Sequence, residues 1–188
     1  MPRILVPLAE GCEEIEAVTV IDLLRRARFE VVAAGLAEGS VRASRGVVLV
    51  PDTTLDAALE SGADAFDMVV LPGGGPGSER LAEDPRILEL LRAAVRGGRH
   101  VAAICAAPQV LAKAGLLEGR NATSFPGVLD ASALPGVTLR TDPVVVDGTI
   151  VTSRGPGTAM DFALTLIEIL AGRERRLEVE RPLQRPAR

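Results

Sequence analysis

Three short runs of this chain are apolar from end to end: Ile4-Leu5-Val6-Pro7-Leu8, Met68-Val69-Val70-Leu71 and Val101-Ala102-Ala103-Ile104. A strand with one face in water alternates apolar and polar residues. Runs without that alternation belong to strands covered on both faces, which is the condition of a parallel sheet. Between them lie segments of helical period. From Glu13 to Arg28 the residues Ile15, Val18, Ile21, Leu23 and Leu24 recur at three and four, with acids at the start and arginines at the end. Pro85 to Arg96 is amphipathic and stops at Gly97-Gly98, Pro108 to Leu117 reads as a helix, and Ala159 to Leu170 reads as a strongly apolar helix ending at Gly172.

The remaining elements are weaker. Glu30 to Ala34 is a second strand closed by Gly35, and Val41 to Val50 reads as a short hairpin around Arg45-Gly46. A short helix begins at Asp56, and Thr138 to Thr152 reads as a hairpin turning at Asp147-Gly148. No repeat, low-complexity stretch or linker interrupts the order. The expected fold is one doubly wound α/β domain over residues 1–188, flavodoxin-like, with a mostly parallel sheet and helices on both faces. Residues 173–188 are expected as its C-terminal helix or tail, their arginines solvated. Ligands bind such sheets beyond the carboxyl ends of the strands, here just after Leu8, Leu71, Ile104 and Ser153.

Composition excludes several functions. Net charge is −4 with no basic stripe, and the aromatics are four Phe with no Trp or Tyr, so no nucleic-acid partner is expected. No apolar run is long enough to span a bilayer, and Met1-Pro2-Arg3 runs straight into the first strand. With two widely separated cysteines, Cys12 and Cys105, the expected location is the reducing cytoplasm. His100 is the only histidine. It lies five residues before Cys105 on one strand, on the order of 16 Å away, and so cannot serve as its base. Neither a metal site nor a cofactor is expected.

Cys105 follows the third apolar strand and precedes Ala106-Ala107-Pro108, the opening of a helix. Small neighbours suit a sharp strand-to-helix turn that lifts a nucleophile to the sheet edge, and a helix start is expected to lower the thiol pKa. The turn Pro72-Gly73-Gly74-Gly75-Pro76-Gly77 lacks the Gly-Lys-Ser/Thr of a phosphate loop. It reads either as a plain turn or as one half of an oxyanion hole, with the Gly74 and Ala106 N–H groups. In Glu13-Glu14-Ile15-Glu16, Glu16 falls beside the buried stripe of Val20 and Leu23. Spacing alone leaves it open between a helix-start charge and a desolvated acid that exchanges a proton with the thiol.

These segments together resemble the ThiJ/PfpI family, which shares its architecture with class I glutamine amidotransferases. The branch most similar is that of the parkinsonism-associated deglycase (DJ-one-like) and bacterial YajL. The resemblance is carried by Gly11-Cys12-Glu13-Glu14-Ile15-Glu16-Ala17-Val18, Val69-Val70-Leu71-Pro72-Gly73-Gly74, Ala102-Ala103-Ile104-Cys105-Ala106-Ala107-Pro108 and Thr152-Ser153-Arg154-Gly155-Pro156-Gly157-Thr158. It implies Cys105 as the reactive cysteine, Glu16 as its partner, and Gly74 and Ala106 as backbone donors. It further implies a homodimer through the first helix and the hairpin, with Arg26 and Arg45 holding anions near the site. Phe125 stands where many members have a histidine, which removes a histidine-assisted mechanism; Cys12 is assigned no role. The activity implied is that of a glyoxalase or deglycase on small α-oxoaldehydes such as methylglyoxal, with a part in oxidative stress. The alternative is a redox sensor or chaperone whose Cys105 is oxidised to sulfinate. An amidotransferase would need a Cys-His-Glu set that one misplaced histidine cannot supply.

Overall fold

A computed structural model of the chain describes residues 1–60 and 62–185. The first half contains β1 (Arg3–Leu8), α1 (Glu14–Arg26), β2 (Glu30–Gly35), β3 (Val41–Arg42), β4 (Val48–Leu49), β5 (Thr53–Thr54), α2 (Leu55–Leu59) and β6 (Met68–Leu71). The second contains α3 (Gly75–Glu83), α4 (Pro85–Arg96), β7 (His100–Ile104), α5 (Pro108–Lys113), β8 (Asn121–Ala122), β9 (Thr138–Leu139), β10 (Val144–Asp147), β11 (Ile150–Ser153) and α6 (Ala159–Glu180). Seven strands form one sheet in the order β10-β11-β7-β6-β1-β2-β5. All neighbours run parallel except β10, which returns antiparallel along β11. The fold is the flavodoxin-like one.

The two faces of the sheet have separate cores. On one, α1 and α6 pack together over Ile4, Val6, Met68 and Ala102. On the other, α4 and α5 cover Leu5, Val69, Leu71 and Val101, with Ile87, Leu91 and Leu111. The uniformly apolar strands are therefore buried on both sides, as their composition requires. The chain leaves β1 toward β2 on one side and later returns to β6 on the other, so strand order reverses between β1 and β6. A crevice opens at such a reversal, and the loops after β1 and β6 form its walls.

Some expected boundaries shift. The glycine turn after β6 is three residues long, because α3 begins at Gly75 with Pro76 in its first turn. Proline is tolerated there, since that N–H has no partner inside the helix. The hairpin begins only at Val144 and turns at Asp147-Gly148; Thr138–Leu139 pairs instead with Asn121–Ala122 in parallel. The helix after Cys105 ends at Lys113, with Gly115 in the left-handed region beyond it. Helical geometry in α6 breaks at Gly172 (φ 81°), as expected, but resumes through Glu180. The C-terminal arginines are also not simply solvated. Arg176 meets Glu168 at 2.6 Å, Arg185 meets Asp161 at 2.7 Å and Glu180 at 2.9 Å, and Val179 is buried. Ion pairs and the apolar side chains of Val179 and Leu183 hold this segment against the body.

Candidate active site

Cys105 is the first residue after β7, and its φ of 63° lies in the left-handed region. A side chain there is strained, and two hydrogen bonds hold it in place. Its N–H donates to the Ser153 carbonyl at 2.9 Å, and its carbonyl accepts the Phe125 N–H at 2.8 Å. Sγ is thereby turned toward the crevice, where the side chain is 8% exposed. The N–H groups of Gly74 and Ala106 face the sulfur and favour its thiolate form.

Glu16 reaches the same point from α1 and is fully buried. Its Oε2 accepts the Gly73 N–H at 2.7 Å, while Oε1 has no aligned hydrogen-bond partner among the described residues. The carboxyl lies close enough to the Cys105 thiol for the two to share a proton. Gly73 must be glycine: a Cβ there would stand 2.5 Å from Glu16 Oε2 and 2.6 Å from Cys105 Cβ. Gly74 has φ 87°, and any side chain would collide with the Gly11 carbonyl. The two glycines thus leave room for carboxyl, thiol-bearing side chain and backbone to converge on one point.

Electrostatics correct one expectation. Burial pushes the Glu16 carboxyl up to about 7, against the opposing pull of the Gly73 N–H and the thiol. Burial, and then the charge of Glu16, push the Cys105 thiol up to about 12, although the Gly74 and Ala106 N–H groups pull it down. The helix start does not lower it on its own, because α5 has only six residues and begins three positions later. The thiolate gains once Glu16 carries the proton: the like charge disappears and the carboxyl becomes a donor. Cys12 is wholly buried, and burial raises its thiol to about 11.

The three glutamates of the 13–16 segment have separate tasks. Glu13 caps α1, its Oε2 accepting the Glu16 N–H at 2.8 Å. Glu14, nearly buried, accepts the Ser44 hydroxyl and the Arg45 N–H, both at 2.8 Å. It ties the β3–β4 turn to the start of α1. Sequence reasoning gave Glu14 no part; the available signal was Ser44-Arg45 at a turn, whose free N–H and hydroxyl need an acceptor. Cys105 lies at the floor of a cleft of about 680 Å³, with Arg45 and Phe125 in its walls. Arg26 is not brought there by its own chain. It lies ten residues beyond Glu16 on α1, about 15 Å along the axis, and pairs with Asp22 at 2.7 Å. His100 starts β7, at the end opposite Cys105.

A thiol at a strand-to-helix turn, a buried carboxyl beside it and a glycine pair after the neighbouring strand form one constellation. The model of the DJ-1/PfpI family matches residues 2–169. The chain belongs to this family. It is 46% identical over 180 residues to Protein dj-1beta of Drosophila melanogaster, covering 95% of each chain. The crystal structure of Drosophila DJ-1beta superposes with a TM-score of 0.90 at 44% identity, over 99% of both chains. A DJ-1/PfpI relative from Caenorhabditis elegans, named glutathione-independent glyoxalase DJR-1.2, is 38% identical over 174 residues, covering 93% of this chain and 91% of its own.

Proposed function

We propose that this protein is a cysteine-dependent, glutathione-independent glyoxalase acting on small α-oxoaldehydes such as methylglyoxal, with a role under oxidative stress. The observation that carries the reading is the buried Glu16 carboxyl beside Cys105, with the Gly74 and Ala106 N–H groups on the sulfur. The name of the C. elegans relative supports the same chemistry.

The Cys105 thiol passes its proton to Glu16 and attacks the aldehyde carbon, and Glu16 hands that proton to the oxygen, giving a hemithioacetal and restoring the carboxylate. Glu16, as carboxylate, removes the hydrogen from that carbon and returns it to the neighbouring ketone carbon. The ketone becomes an alcohol and the first carbon becomes a thioester. Water then releases the 2-hydroxy acid and restores the thiol. The sum is oxoaldehyde plus water to hydroxy acid, with no external oxidant. Gly74 and Ala106 donate to the oxygen as it gains charge. A pKa near 7 suits Glu16 to both halves of the transfer. Hydrolysis of aldehyde adducts, the deglycase form, would draw on the same groups.

Arg45 at the cleft wall favours anionic or carbonyl-rich ligands. A homodimer through α1 and the β3–β4 hairpin is supported by exposed apolar residues on both: Ile15 and Val18 on the helix, Val47 and Val48 on the hairpin. Arg26 would reach a site only across such an interface.

The second reading is a redox sensor. It is favoured by one contrast: Cys105 is reachable and backed by N–H donors that would bind a sulfinate, whereas Cys12 is sealed. A lactate assay with methylglyoxal on the wild type and Cys105→Ser decides. Lactate from the wild type alone supports the enzyme; none from either leaves the sensor.

A further inference from the structure

Behind Phe125 lies a second, smaller recess of about 190 Å³. Phe125 is the residue common to its wall and to that of the Cys105 cleft. Two of its polar groups lack partners. The Thr123 hydroxyl is buried with no hydrogen bond, in a residue 1% exposed whose N–H goes to Thr152 Oγ1 at 2.9 Å. The half-buried Arg154 side chain has no ion pair and no hydrogen bond among the described residues. Arg140, also in the wall, is loosely engaged by Asp142 at 3.3 Å. Ser124 and Thr141 also line the wall, and Leu129 and Leu139 give it an apolar side.

An unpaired guanidinium and an orphan hydroxyl on one small recess each cost free energy that a single anion would offset. A water takes up about 30 Å³, so the recess holds on the order of six water-sized groups. The planar fork of Arg154 matches a carboxylate, and the leucines suit a short alkyl tail. We infer that this recess is a binding site for short-chain monocarboxylates, and that its occupancy is felt at Cys105 through Phe125. The route is direct: the half-exposed Phe125 lines both cavities, and its N–H holds the Cys105 carbonyl at 2.8 Å. A filled recess holds the ring toward the cleft and slows access to the thiol. A 2-hydroxy acid belongs to the same ligand class, so under the glyoxalase reading the product would restrain its own formation. The binding itself does not depend on that reading.

The test uses butyrate as probe and needs no turnover. The rate of Cys105 alkylation by neutral iodoacetamide is followed against butyrate, with sodium chloride at matched ionic strength as control. Butyrate should slow alkylation saturably, by about fivefold at the low end of ordinary coupling between sites. Chloride should not, and inorganic phosphate, which cannot use the leucines, should act only at higher concentration. Arg154→Gln should abolish the effect, and the near-isosteric Thr123→Val should weaken it while leaving the fold intact. Calorimetric titration of butyrate should show the same order among the variants. A butyrate effect unchanged in both variants, or removed instead by Arg45→Gln, would place the anion in the Cys105 cleft and overturn the proposal. Equal effects of butyrate and chloride would overturn it too. Binding lost in Arg154→Gln without any change in alkylation would remove the link to Cys105.

Discussion

Glu16 is the residue on which the proposed chemistry turns, and its burial links it to stability as well. Its carboxyl sits at about 7 against an ordinary 4.5. Between those values the folded protein keeps a proton that the unfolded chain has released. The contribution of Glu16 to stability is therefore complete below about 4.5 and is lost as pH rises through 7, on the order of 3 kcal/mol. Glu16→Gln removes the charge while keeping an acceptor for the Gly73 N–H. The variant should be more stable than the wild type at pH 8 and no less stable at pH 4, and its melting temperature should lose most of this pH dependence. Thermal melts at both values check it. The same variant should still form an adduct with methylglyoxal on Cys105, seen by intact mass, yet lose about 10²–10⁴-fold in lactate formation. Turnover near the wild-type rate would leave Glu16 a structural partner only. Oxidation separates the two cysteines in a similar way. Mild peroxide should carry Cys105 to sulfinate while Cys12 stays reduced, as peptide mapping would show; a Cys12–Cys105 disulfide would contradict the burial of Cys12.

At the scale of elements, the site is a meeting of loops, and its tolerances are those of the loops. Gly73→Ala puts a methyl group where Glu16 and the Cys105 side chain already stand. It should destabilise the protein by about 3 kcal/mol, at the upper end of overpacking, and uncouple the thiol from the carboxyl. Denaturant unfolding and the pH profile of alkylation measure the two effects separately. Glu14→Ala frees the Ser44-Arg45 turn from α1. It should raise KM more than it lowers kcat, since it leaves Cys105 and Glu16 in place while the cleft wall loosens. Glu14→Gln, which keeps one acceptor, should restore part of the loss. The sequence disclosed the strands and the position of Cys105 because both depend on local signals: unbroken apolar runs and a small-residue turn. It did not disclose the task of Glu14, whose partners lie 30 residues away, nor the start of α3 inside a glycine-proline run that reads as a turn. Glu16 lay between, since its helical phase pointed to burial but not to what it would face. The expected fall in the thiol pKa failed for the same reason: it counted the helix start and not the desolvation.

The molecule as a whole presents an apolar strip on α1 and the adjoining hairpin, with Ile15 56% and Val48 50% exposed. If a second copy covers this strip, sedimentation should give a dimer at micromolar concentration. Val18→Glu, which places a charge in that face, should then give a monomer with an unchanged α/β circular dichroism spectrum. A wild-type monomer would separate Arg26 from the site altogether. The strand order carries one more consequence. The Cys105 loop is held from both sides by later parts of the chain, its carbonyl by Phe125 and its N–H by Ser153. During synthesis, Cys105 does not have its folded setting until the segment through β11 has left the ribosome. A nascent chain halted before residue 150 carries Cys105 without the Ser153 carbonyl that holds its N–H, and stalled chains should alkylate at Cys105 faster than completed chains do.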